Sequence, residues 1–178
     1  MNSILGVIKS RRTIVRFSEN PVEDEKVKTI LEAGRWAPSW LNKQPWVFIV
    51  IKDHNIKHQL SNVVPTIFKN GIREAPLCVT IAVDTEQDPY HFIEDGAAAS
   101  ENMLLAATSL GLHSCWIGVL SPEKDANRST ENIVKKLLGI PKNFRALSIL
   151  LFGYGRKDLP IPKKERKPLE QIVLQNKF

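Results

Sequence analysis

A chain of 178 residues is long enough to bury a sizeable core without disulfide or metal staples. Its 43% hydrophobic and 25% charged residues exclude a disordered tail or a chain made mostly of membrane spans. The net charge of +6 suits an anionic partner and, equally, plain solubility.

The first segment, 2–10, carries Ile4, Leu5 and Ile8 at helical spacing with its charge at the C-terminal end. The run 22–37 repeats the pattern: Val27, Ile30, Leu31 and Gly34 share a face, and Glu23, Asp24 and Glu25 occupy the first turn. A strand is expected over 45–53, then helix over 54–73 broken by Pro65. A second strand over 76–84 leads to the longest helix, 91–111, closed by Gly111. The small run Gly96–Ser100 in that helix predicts a close approach by another helix. A third strand follows at 113–120. Ser121 and Pro122 have the residue types of an N-cap and a first helical position. The stretch 130–141 ends another helix at Gly139, with Pro141 beyond, and a fourth strand is expected over 144–155. The tail 156–178 is rich in proline and lysine and contains an expected short strand, Leu169–Leu174. Such a tail has nothing local to pack against and points to a second copy of the chain.

"VFIVI" at 47–51 and "LSILLF" at 147–152 have the lengths of buried strands, and no run is long enough to span a bilayer. No basic region precedes an apolar one at the N-terminus, so no secretory signal is expected and the cytoplasm is the default location. Cys78 and Cys115 form no C-x-x-C and lie in apolar runs, which reads as two buried free thiols.

Two basic clusters bracket the chain: Arg11, Arg12 and Arg16 near the start, and Lys157, Lys163, Lys164, Arg166 and Lys167 near the end. Apart, they are solvated faces. Brought together, they make a phosphate site to which Thr13 adds a hydroxyl. The stretch "APSWLNKQPW" at 37–46 is either a proline-stiffened connection with half-buried tryptophans, or a loop whose Asn42 and Gln44 amides read the edge of a heterocycle. His54 and His58 are spaced for a metal on a helix, but no third ligand follows and a polar face is the expected reading. No glycine-rich nucleotide loop and no nucleophile with an adjacent base stand out.

Taken in order and spacing, "RRTIVRF", "APSWLNKQPW", "GLHSCWIG" and "IPKKERKPLEQIV" resemble the nitroreductase family of FMN-dependent NAD(P)H oxidoreductases, and the likeness extends over essentially the whole chain. The resemblance implies an α+β fold with a central, mostly antiparallel sheet flanked by helices, one domain over 1–178, and an intertwined homodimer whose swapped C-terminal tail, about 156–178, wraps the partner subunit. It implies FMN as cofactor and NADH or NADPH as donor. Arg11, Arg12 and Thr13, with Lys164 and Arg166, match positions that hold the FMN phosphate. Pro38, Ser39 and Asn42 match a loop that reaches the flavin from the other protomer. Trp116, Ile117 and Gly118 match the segment beneath the ring, with the Gly118 backbone N–H toward flavin N5. Asn70 and Arg73 match residues at the ring's polar edge. Trp40 replaces a residue that is often small and faces the substrate. Val15 stands where the family often has a cation near flavin N1 and O2, a role left to Arg73 or Arg16.

The implied reaction passes a hydride from NAD(P)H through flavin N5 to a small oxidised acceptor, a nitroaromatic, quinone or similar, in two steps. No nucleic-acid, membrane or metal partner is expected. One alternative is a basic nucleic-acid-binding protein that uses both clusters; another is a family member devoted to flavin handling or dehalogenation.

Overall fold

The computed structural model describes residues 4–121 and 129–177. Two strands form its centre: β2, Leu77–Asp84, is buried at every position, and β4, Phe144–Gly153, is buried from Ala146 onward. Their continuous apolar runs are what a strand covered on both faces requires. They pair antiparallel, Leu77 opposite Phe152, and are flanked by β1, Trp46–Ile51, and β3, His113–Gly118, in the order β1-β2-β4-β3. Every pairing is antiparallel.

Side chains alternate between two cores. Val79, Ile81, Val83, Leu150 and Phe152 face helices α2, Asp24–Arg35, and α5, Phe92–Ser109. Cys78, Cys115, Ile117, Ile149 and Leu151 face α3, His54–Ser61, α4, Thr66–Glu74, and α6, Thr130–Leu138. The result is the expected α+β arrangement, an antiparallel sheet between helical layers. Local chemistry sets the helix ends. Asp53 Oδ1 accepts the Ile56 N–H at 2.8 Å, Pro65 starts α4, and Gly139 closes α6 at φ 66. Among the described residues no helix is long and apolar enough to cross a membrane.

The tight approach at Gly96 is to the sheet, not to a helix as expected. A Cβ there would stand 2.6 Å from Leu147 Cδ2 and 3.0 Å from Val83 Cγ1. The close helix–helix contact falls instead at Gly34 of α2, against Met103 of α5. Leu147 is the extra residue of a β-bulge, because Ile81 pairs with Ser148 and Ala82 with Ala146. Its carbonyl accepts the N–H groups of Val119 and Leu120 at 3.1 and 3.3 Å, which ends β3 at Gly118 rather than residue 120.

Helix α1, Ile4–Ser10, buries none of its residues, and Ile4 remains 81% exposed. The expected strand Leu169–Leu174 is a 3-10 turn, Leu169–Gln171, with the Gln171 and Ile172 N–H groups bonded to Pro168 and Leu169. The segment's backbone groups are satisfied by these local bonds rather than by a sheet edge. The expected N-cap at Ser121–Pro122 reaches outside the described residues. Cys78 and Cys115 are free and buried, and burial pushes both thiols up to about 12.

Candidate functional site

The two basic clusters meet. Lys164 Nζ donates to the carbonyls of Ile8, at 3.2 Å, and Arg11, at 3.4 Å; Arg12 Nε donates to Pro162 O at 3.1 Å. Arg11 Nη1 lies 3.5 Å from Thr13 Oγ1. Burial lowers the Lys164 pKa, and the charges of Arg166, Arg11 and Arg12 push the same way while Glu101 opposes them. The cations are therefore close enough to feel one another, yet carbonyl oxygens rather than carboxylates fix Lys164 and Arg12. Such a donor set suits a dianionic phosphate monoester. Arg16 is not part of it: both Glu74 carboxylate oxygens accept its Nε, at 2.9 and 3.0 Å. Lys157, Lys163 and Lys167 are exposed.

Thr13 bridges to Ser114, four positions before Gly118 on the same strand. At the strand rise, the cationic cluster and Gly118 are about 13 Å apart along β3. Gly118 is exposed, and a Cβ placed on it meets nothing within 4 Å, whereas Ile117 beneath is buried and Trp116 half-buried. The outer end of β3 is thus a backbone ledge open to a flat ring.

Asn70 and Arg73 lie on α4, which crosses Val15 so closely that a Cβ on Gly71 would stand 2.9 Å from the Val15 carbonyl. Asn70 is exposed. Arg73 donates to Ser61 Oγ at 2.7 Å and Asn62 Oδ1 at 3.1 Å. It also lines a cavity of about 1400 Å³ at the opposite end of the sheet, with Lys52, His54, His113 and Tyr154. That cavity takes in Lys157 but contains neither Gly118 nor Arg11, Arg12, Lys164 and Arg166.

Pro38, Ser39, Trp40 and Asn42 lie in the connection from α2 to β1. Ser39 Oγ accepts the Gln44 N–H at 2.9 Å, and Gln44 Nε2 donates to the Asn42 carbonyl at 3.1 Å. The loop leads into Trp46, so it stands at the same end of the sheet as Gly118 but on the other edge. Three strand spacings, about 14 Å, separate β1 from β3. The chain therefore brings Arg11, Arg12, Thr13, Lys164 and Arg166 together on the β3 edge, about 13 Å along the strand from the Gly118 ledge, and leaves the 38–42 loop on the β1 edge.

Sequence reasoning passed over Asp88, His91 and Asp95. Asp95 Oδ1 accepts the Trp40 N–H at 2.9 Å, and the Trp40 indole stacks on His91 with centroids 4.2 Å apart. Asp95 shares the first turn of α5 with Glu94, where acids are favoured at any helix N-terminus, so its sequence position alone does not single it out.

The family model described as the Nitroreductase family matches residues 8–70 and 64–154. An Archaeoglobus fulgidus protein named "Putative NADH dehydrogenase/NAD(P)H nitroreductase" is 33% identical over 161 residues, 89% of this chain and 88% of that protein. A structure of an FMN-dependent nitroreductase from Clostridium difficile superposes with a TM-score of 0.87 at 30% identity, over 98% of this chain and 99% of the other. The NADPH-flavin oxidoreductase of Vibrio harveyi is 29% identical, over 100% of this chain and 75% of its own length. Motifs, strand order and these matches agree, and the chain belongs to the nitroreductase family.

Proposed function

We propose that this chain is an FMN-dependent NAD(P)H oxidoreductase acting on a small oxidised acceptor. The observation that carries the reading is the convergence of Arg11, Arg12 and Lys164 from the two ends of the sequence, close enough for their charges to act on one another. The residues fit FMN in two independent respects: a dianion finds cations held by neutral backbone, and a flat ring finds open space above Gly118 within a ribityl chain's reach. Bound FMN supplies the redox chemistry, taking a hydride from NADH or NADPH at N5 and passing two electrons to an acceptor such as a nitroaromatic or quinone.

Arg11, Arg12, Thr13, Lys164 and Arg166 hold the phosphate. Trp116, Ile117 and Gly118 support the ring, with the Gly118 backbone N–H directed to N5. Asn70 addresses the polar edge. Val15 puts no charge there, Arg16 is engaged by Glu74, and Arg73 is bonded to Ser61 and Asn62 at the opposite end of the sheet from Gly118, so neither arginine takes the place of the missing cation. Hydride transfer requires no side-chain acid, so binding and orientation are the chain's contribution.

The assembly that completes the site is a homodimer. Pro38, Ser39 and Asn42 stand at the wrong edge to reach their own Gly118, so the loop of a second copy covers the ring and brings Trp40 to the acceptor. The apolar side chains of α1 and of the tail, Ile4, Leu5, Ile161, Leu169, Ile172 and Leu174, are exposed in the single chain, which supports a tail wrapped on a partner around a single domain, 1–178. A stripe of interleaved basic and aromatic residues, expected of a nucleic-acid binder, is replaced by a compact cluster.

The test is the visible spectrum of the purified protein reconstituted with FMN, followed by anaerobic titration with NADH and with NADPH. One bound flavin per chain, bleached by either donor, is the expected result. A colourless protein that oxidises neither donor refutes the reading.

A further inference from the structure

The loop after α2 carries strain that holding a cofactor does not by itself explain. Leu41, Asn42 and Gln44 lie at φ 48, 56 and 52, a left-handed region that costs a side-chain-bearing residue on the order of 1 kcal/mol. From outside the loop, Asp95 Oδ1 clamps it by accepting the Trp40 N–H. Asp95 is 5% exposed, and its Oδ2 accepts no hydrogen bond among the described residues. Burial pushes its carboxyl pKa up, although the Trp40 N–H works against this. A half-satisfied buried carboxylate is an expensive way to accept one N–H.

What the clamp holds is an aromatic surface. The Trp40 indole lies on the His91 ring at 17°, and Tyr90 stands edge-on to His91 at 6.4 Å. A second buried carboxylate fixes His91: Asp88 Oδ1 accepts its backbone N–H at 3.0 Å and lies 3.3 Å from Nδ1. Asp88 Oδ2 is also buried without a partner. Two costly buried acids thus support an indole that remains 49% exposed, with one face taken by imidazole. A rigid, half-covered indole is a stacking platform.

We propose that Asp95 is a positioning residue for acceptor choice: by seating Trp40 on His91 it builds a wall against which planar aromatic acceptors stack. The inference rests on the flavin oxidoreductase reading and adds to it the residues, Asp95 and His91, that seat the wall favouring a planar acceptor.

The test uses FMN-loaded protein and compares menadione, a flat quinone, with ferricyanide, which offers no ring to stack. Asp95→Ala and His91→Ala are expected to raise the menadione KM about tenfold with a much smaller change in kcat, and to lower the menadione-to-ferricyanide ratio of kcat/KM by a similar factor. Asp95→Asn retains an Oδ1 acceptor for the Trp40 N–H and is expected to stay near wild type. If Asp95→Ala does not fold, His91→Ala, a change at a half-exposed side chain, decides. Unchanged menadione KM in the alanine variants, or equal losses with both acceptors, overturns this inference alone. Wild-type protein that takes up no flavin overturns the reading beneath it.

Discussion

Lys164 Nζ lies 3.4 Å from the carbonyl oxygen of Arg11, across 153 positions of sequence. The same ammonium reaches the carbonyl of Ile8, in the last turn of α1. The tail cation is therefore placed by exposed carbonyls at a helix C-terminus, where a positive charge is favoured, and no carboxylate consumes it.

Removing one arm of that cluster should weaken flavin binding more than folding. Hydrogen bonds to charged groups contribute about 1.5–3 kcal/mol, so Arg11→Ala or Lys164→Ala should raise the FMN Kd roughly 10- to 100-fold. Quenching of flavin fluorescence measures this directly. Wild-type affinity in both variants would remove the cluster from the site.

Gly118 separates the two properties in the other direction. A methyl group there meets nothing in the chain, so Gly118→Ala should leave the thermal midpoint within a few degrees of wild type. It would occupy the space proposed for the ring, and the anaerobic rate of flavin reduction by NAD(P)H should fall at least about tenfold. An unimpaired rate means that the ring lies elsewhere.

Glu131, 3% exposed, ties α6 to β4 through Arg145 at 2.6 Å and through the Ser121 and Ala146 N–H groups. Burial pushes its carboxyl up, but Arg145 and the two backbone donors outweigh it and hold the pKa below the ordinary 4.5. The depressed value stabilises the fold above pH 4.5, and that stability drains away as pH falls through the folded pKa. Glu131→Ala should cost about 3–5 kcal/mol in urea unfolding at pH 7, because it removes the carboxylate that pairs with Arg145 and accepts the Ser121 and Ala146 N–H groups. Glu131→Gln should flatten the acid limb of a stability profile.

His113 provides a second pH dependence, nearer neutrality. The Gly155 N–H donates to its Nδ1 at 3.1 Å, which requires that nitrogen unprotonated, and burial lowers the ring's pKa from 6.5. Its contribution is complete above pH 6.5 and is lost as pH falls through the lower folded value. Denaturation midpoints of wild type and His113→Gln between pH 5 and 8 should converge at the acid end. Parallel curves would exclude the effect.

Much of this fold is legible in local sequence. The apolar runs at 77–84 and 144–153 could hardly be anything except strands covered on both faces, and Pro65 marks the α3–α4 break. The meeting of Arg11 with Lys164 is not legible, because it depends on Thr13 bridging Ser114 and on the path taken by the tail. The residues around 169–174 have strand composition, but the Gln171, Ile172 and Val173 N–H groups bond within the segment and it turns instead. Asp95 escaped notice because an acid in a first turn has an ordinary explanation, whereas its bond to Trp40 spans 55 positions.

The Trp40 loop and the Gly118 ledge occupy opposite margins of one sheet, so in the proposed dimer each chain would contribute a piece to two different pockets. A chain altered at Arg11 and a chain altered at Trp40 would each be impaired in both pockets of its own homodimer. Refolded together they would form mixed pairs in which both lesions fall in one pocket and the other is whole, so that two impaired proteins regain one wild-type pocket in every hybrid.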